Sequence, residues 1–203
     1  MKGLLLPSLA FAALLTGASA YAGPISFTEC PPVGNDTTGC EFLITVTSVD
    51  SGGNATGFTV AVSSPDLGPF DGADDTLVGV LNATTSTLNA LSISSPLDIF
   101  GFDGDGACSG DYGTIPGCAG ATDPSGYAPA GVTFSGVNPA QTSGTIDFSP
   151  GIASMGSSWF SLEDALSVTQ INPGTPEPSS IFLLGTGLIG IGALVRRRRR
   201  VRP

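Results

Sequence analysis

Three features of the chain between its two ends predict an all-β fold, a single antiparallel β-sandwich. Short stretches alternate apolar and polar residues and are rich in β-branched side chains. Between them stand clusters of Gly, Pro, Asn, Asp and Ser, the residues that tight turns demand. No stretch of the body sustains an apolar period of 3.6 residues, so no amphipathic helix is expected there. Many short strands with Gly- and Pro-rich turns pack as two face-to-face sheets.

The elements follow in order. Residues 1–22 read as a secretory signal peptide: Lys2 supplies the charge, 4–15 the apolar core, and Ala18-Ser19-Ala20 and Ala20-Tyr21-Ala22 two cleavage points. Cleavage after Ala22 leaves a domain at 23–171, long enough to bury one core. Residues 25–28 predict an edge strand. Residues 41–49 and 57–62 predict a hairpin about Gly52-Gly53-Asn54. Further strands are expected at 76–82, 87–94, 97–102, 131–134, 142–148, 157–162 and 166–171. Residues 104–131 are the least strand-like, and a loop of that length is either functional or held by a clip.

A proline-bearing linker at 172–178 leads to residues 179–195, which carry no charge. As a helix this segment reaches roughly 26 Å, at the short end of what spans a hydrocarbon core of about 30 Å. The arginines of the 196–203 tail would stay on the cytoplasmic side, leaving the body outside the cytoplasmic membrane.

Charge excludes whole classes of function. The seven basic residues are Lys2, Arg196 to Arg200 and Arg202, so the body has no Lys and no Arg, and the chain has no His. All 17 carboxylates lie from Glu29 to Glu177, in a chain of net charge −10. Nucleic acid and anionic lipid are excluded as partners of the body, because nothing there neutralises phosphate. Without His there is no Ser-His-Asp arrangement and no imidazole zinc ligand. Without Lys or Arg there is no Schiff base and no guanidinium clamp. Carboxylate-pair glycoside hydrolysis and oxygen-liganded metal sites survive this filter, but no residue is identified as catalytic and the chain is not expected to be an enzyme.

Cys30 and Cys40 are ten residues apart, and so are Cys108 and Cys118. In an exported chain four cysteines imply two disulfides, with three connectivities open. The repeated spacing, each pair enclosing a Gly- and Pro-rich loop, favours two local clips, Cys30–Cys40 and Cys108–Cys118.

Two acidic turns offer oxygen ligands. Asp103-Gly104-Asp105-Gly106, with Asp111 beyond, sets carboxylates on alternate residues of a glycine-rich turn, the spacing calcium loops use. Cys108 and Thr114 stand where an EF-hand has its glycine and its bidentate Glu, so the motif is a generic acidic turn. Phe70-Asp71-Gly72-Ala73-Asp74-Asp75 places three carboxylates just before a strand. Calcium is the cation these oxygens would take, shared between the two turns if they meet at one end of the sandwich. The alternative is that Asp-Gly is a turn dipeptide whose side chain caps its own backbone. Trp159-Phe160, with Tyr112 and Tyr127, offers aromatic faces for a sugar, although adjacent strand residues more often divide into one core and one surface residue. Asn35, Asn54 and Asn82 match the N-x-[ST] acceptor pattern.

The chain's last part carries a family resemblance. Pro176-Glu177-Pro178, the apolar segment and the arginine cluster, in that order, resemble the PEP-CTERM sorting signal of Gram-negative bacteria. The resemblance implies recognition by an exosortase, a membrane-embedded cysteine transpeptidase, removal of the anchor near the motif, and delivery to the cell surface or extracellular matrix. The resulting expectation is a non-enzymatic structural protein of that matrix. The alternatives are a calcium-dependent polysaccharide-binding module and, behind it, a carboxylate-pair glycoside hydrolase.

Overall fold

The first ladder is organised by its turn. Asp50 Oδ1 accepts hydrogen bonds from the backbone N–H groups of Gly52 and Asn54, each at 2.8 Å, and Gly53 turns at φ 80°. This reverses the chain between β1 (Phe42–Val49) and β2 (Ala55–Val62), which pair antiparallel. The computed structural model describes residues 24–110, 112, 114–164, 166 and 171–173. Within them follow β3 (Thr76–Asn82), β4 (Leu88–Ser94), β5 (Val132–Ser135), β6 (Ser143–Ile152), β7 (Ser157–Leu162) and β8 (Asn172–Pro173).

The strands form two sheets, of order β2-β1-β3-β7 and β5-β6-β4-β8. The second is antiparallel throughout. The first is not, which corrects the expectation of a purely antiparallel sandwich: β1 and β3 run parallel, Phe42 opposite Val78. Val62 ends β2 opposite Phe42, the first residue of β1. The connection 63–75 then passes to the far side of β1 at that same end of the sheet. A strand that starts beside the start of β1 can only run parallel to it.

The core between the sheets joins Phe42, Ile44 and Phe160 of the first to Leu91, Ile93 and Ile146 of the second, all fully buried. The first sheet is also covered on its other face. Leu77 and Trp159 pack there against Phe27 from the N-terminal segment, Val33 from the Cys30–Cys40 loop and Phe70 from the connection between β2 and β3. Trp159 and Phe160 therefore point to opposite faces of β7 and are both buried, at 7% and 0% exposure. The division into one core and one surface residue is thus corrected, because loops rather than solvent cover the second face. Both expected disulfides form, Cys30–Cys40 and Cys108–Cys118, with Cα–Cα distances of 5.0 and 5.3 Å.

Three strand assignments change. Residues 97–102 are buried in part but make no ladder: Leu97 N–H binds Ser95 Oγ and Gly101 N–H binds Asp98 O, so Pro96, Asp98 and Gly101 act as turn residues. Of residues 25–28, Ile25 and Phe27 make isolated bridges to Ser64 and Cys40. Leu166 and Ile171 are buried, 165 and 167–170 lie outside the described residues, and pairing resumes only at β8, within the expected linker. Among the described residues no helix is long and apolar enough to cross a membrane. Residues 1–22 and 179–203, the expected signal peptide, membrane segment and basic tail, lie outside them.

Candidate metal centre

Strand pairing builds the centre. Thr76, the first residue of β3, lies opposite Leu162, the last of β7. Asp75 and Glu163 extend those two strands by one residue each, so antiparallel pairing brings them side by side. The third member comes from the long loop, which is docked on β7. Ala107 N–H donates to Ser161 Oγ at 3.2 Å, and Ser161 N–H donates to Tyr127 O at 2.8 Å. Cys108 N–H donates to Gly126 O at 2.7 Å, closing the loop on itself. Gly106 passes so close to the Tyr127 ring that a Cβ there would lie 2.5 Å from it. This path delivers Asp105. One carboxylate oxygen each from Asp75, Asp105 and Glu163 lie within 4.8 Å of one another.

Asp75 is fully buried, and neither of its oxygens has a hydrogen-bond partner among the described residues. Asp105 and Glu163 are half-buried. The Tyr127 hydroxyl lies 2.6 Å from Glu163 Oε2, 2.8 Å from Asp105 Oδ1 and 3.3 Å from Asp103 Oδ1. A phenol has one hydrogen and can serve only one of these three acceptors. Burial first, then the charges of Asp105 and Glu163, push the Asp75 carboxyl up to about 8. Burial also raises Glu163 and Tyr127. Hydrogen bonding between Asp103 and Asp105 lowers the first and raises the second. No Lys, Arg or His stands between residues 3 and 195, so protons or solution cations are the available neutralising charges.

Of the residues singled out in the sequence, Asp75 and Asp105 meet here. Asp103 stands at the edge, exposed, with its Oδ1 3.3 Å from the Tyr127 hydroxyl. Asp71 lies outside the converging group of three: its Oδ1 accepts from the N–H groups of Ala73, Asp74 and Asp75 at 3.0–3.1 Å. It caps the turn that aims Asp75, which is the backbone-capping role of an Asp-Gly turn. Asp74 is exposed. Asp111, Pro176, Glu177 and Pro178 lie outside the described residues. Glu163 is not among the residues the sequence singles out, and Tyr127 stands there only as an aromatic face for a sugar. Glu163 directly follows a predicted strand and Asp75 directly precedes another, but nothing in the sequence pairs those two strands.

A second group of acids is buried under the Cys30–Cys40 clip. Asp36 and Glu41 are 0% and 2% exposed, and both Asp36 oxygens and Glu41 Oε2 have no partner among the described residues. Burial, then Asp66, pushes Asp36 up to about 7. Burial, then Asp36 and Asp66, pushes Glu41 up to about 8. On the same side of the molecule a shallow cleft of about 530 Å³ is lined by Glu29, Pro31, Pro32, Pro116 and Trp159. With Trp159 and Tyr127 buried, the aromatic set does not form an exposed stacking platform.

Comparison with known proteins identifies the tail. Residues 174–200 match the family described as the PEP-CTERM protein-sorting motif. No curated protein and no solved structure matches the chain.

Proposed function

From the PEP-CTERM sorting motif in its tail, we propose that the chain is a non-enzymatic structural protein of the cell surface or extracellular matrix, released from its anchor by an exosortase. The motif marks an exported protein and makes an exosortase its processing partner. The body suits such a setting. Two disulfides clip its loops, and a surface without Lys, Arg or His repels anionic partners. The motif alone carries the reading, and the body supplies what an exposed protein needs to persist.

Intact-mass measurement on membrane, surface and medium fractions of the producing cells tests it. A surface or medium species ending near Pro178 is expected. A membrane species that keeps Val195 and the arginines would overturn exosortase release and leave a tail-anchored domain. The second reading is a polysaccharide-binding module that works through calcium, favoured by the three converging carboxylates. It predicts retention on matrix polysaccharide that is lost on adding a chelator.

A further inference from the structure

We propose that Asp75, Asp105 and Glu163 bind one calcium ion, and that this ion latches the disulfide-clipped loop to the adjoining ends of β3 and β7. Three observations carry this. The three carboxylates come from segments far apart in the chain, yet present oxygens within 4.8 Å of one another. Opposite ligands around calcium, at about 2.4 Å each, are separated by about 4.8 Å, so the three oxygens are close enough together to share one ion. Asp75 is fully buried with both oxygens unpartnered among the described residues, an arrangement that costs stability unless something fills it.

The chemistry of the surroundings selects the occupant. The described body contains no basic side chain, so an internal salt bridge is ruled out as the neutralising charge. The Tyr127 hydroxyl has one hydrogen for three nearby carboxylates. A divalent cation satisfies the carboxylates together, where a proton satisfies one. The donors are all oxygen, which favours a hard cation. Calcium, with six to eight flexible oxygen ligands, tolerates a mixed set of carboxylates and water better than magnesium, which demands near-ideal octahedral geometry. The consequence is mechanical. Asp105 belongs to the loop that carries Cys108, while Asp75 and Glu163 directly flank β3 and β7, so the ion joins two parts that also meet through hydrogen bonds at Ser161 and through the apolar cluster of Ala107 and Ile115 with Leu77 and Trp159. Bound calcium and the Cys108–Cys118 disulfide would hold the same loop by independent means.

The test uses the full chain in detergent, with calcium chloride or chelator and no other ligand. Calcium at about a hundredfold its Kd is expected to raise Tm by roughly 5–10 °C. Asp75→Asn and Glu163→Gln should each abolish the rise. Both variants relieve charge crowding, so their Tm in chelator should equal or exceed that of the parent, which separates a lost site from a lost fold. Terbium emission sensitised by Tyr127, displaced by calcium and lost in Asp75→Asn, reports binding directly. An equal Tm rise with magnesium or sodium would overturn the proposal, since it would mean screening of the acidic surface. A calcium rise that survives Asp75→Asn would overturn it too. These readouts are independent of exosortase processing, so either idea can fail alone.

Discussion

At the scale of single residues, burial decides what each carboxylate does. Asp36 and Glu41 have folded-state affinities for protons raised to about 7 and about 8, with Asp66 facing both and no cation among the groups that shift them. An acid whose folded pKa is raised contributes stability that is fully present below its unfolded pKa and is lost as pH rises through the folded value. Thermal melts in chelator should therefore show Tm falling by several degrees between about pH 5 and about pH 8. Asp36→Asn with Glu41→Gln should make that slope shallower, leaving the share that Asp75 contributes, its carboxyl likewise pushed up to about 8, and a parent Tm that rises with pH would contradict the assignment. Gly106 makes a second residue-scale test. A methyl group there meets the buried Tyr127 ring at 2.5 Å, so Gly106→Ala should cost about 1–3 kcal/mol by overpacking, measured by denaturant unfolding. Legibility at this scale was uneven. Asp75 and Asp105 were visible as members of acidic turns, whereas Asp71 looked equivalent and turned out to cap three backbone N–H groups. Which carboxylate of an Asp-rich turn points inward depends on the turn's own hydrogen bonds, and sequence spacing does not specify them.

At the scale of elements, alternation located strands where a ladder exists and misled where burial came without one. The hairpin of β1 and β2, and strands β3, β4, β6 and β7, lie where β-branched alternation put them, with ends shifted by a few residues. Residues 97–102 alternate equally well, yet they fold as turns whose Phe100 and Phe102 rings pack in an aromatic cluster with Phe134. Apolar periodicity reports which side chains are buried and says nothing about what the backbone bonds to. The disulfides were legible because ten-residue spacing repeats. Replacing both cysteines of either pair by serine should lower stability by about 2–3 kcal/mol from unfolded-chain entropy. Loss of Cys40, fully buried in the loop-side core, adds a packing cost. Paired melts of the two double variants would check this, and a larger loss is expected for the Cys30–Cys40 pair.

At the scale of the whole molecule, charge segregation rules the partners. Every basic residue lies at position 2 or beyond 195, so the body carries negative charge alone. A preparation processed at the tail is expected to bind neither DNA nor anionic vesicles, even at low ionic strength where attraction is least screened. Co-sedimentation would test this, and retention on either ligand would refute it. The sequence by itself determined the sorting motif, the all-β class, the disulfide clips and the missing counter-charges. Each of these depends on local order or composition, which a linear chain states directly. Only the tertiary structure decided that β1 and β3 run parallel, that loops cover the first sheet's second face, and that Glu163 meets Asp75 and Asp105. Those facts depend on which strands pair and where a long connection docks. Such choices are made by the packing energy of the assembled layers, and no short stretch of sequence contains it.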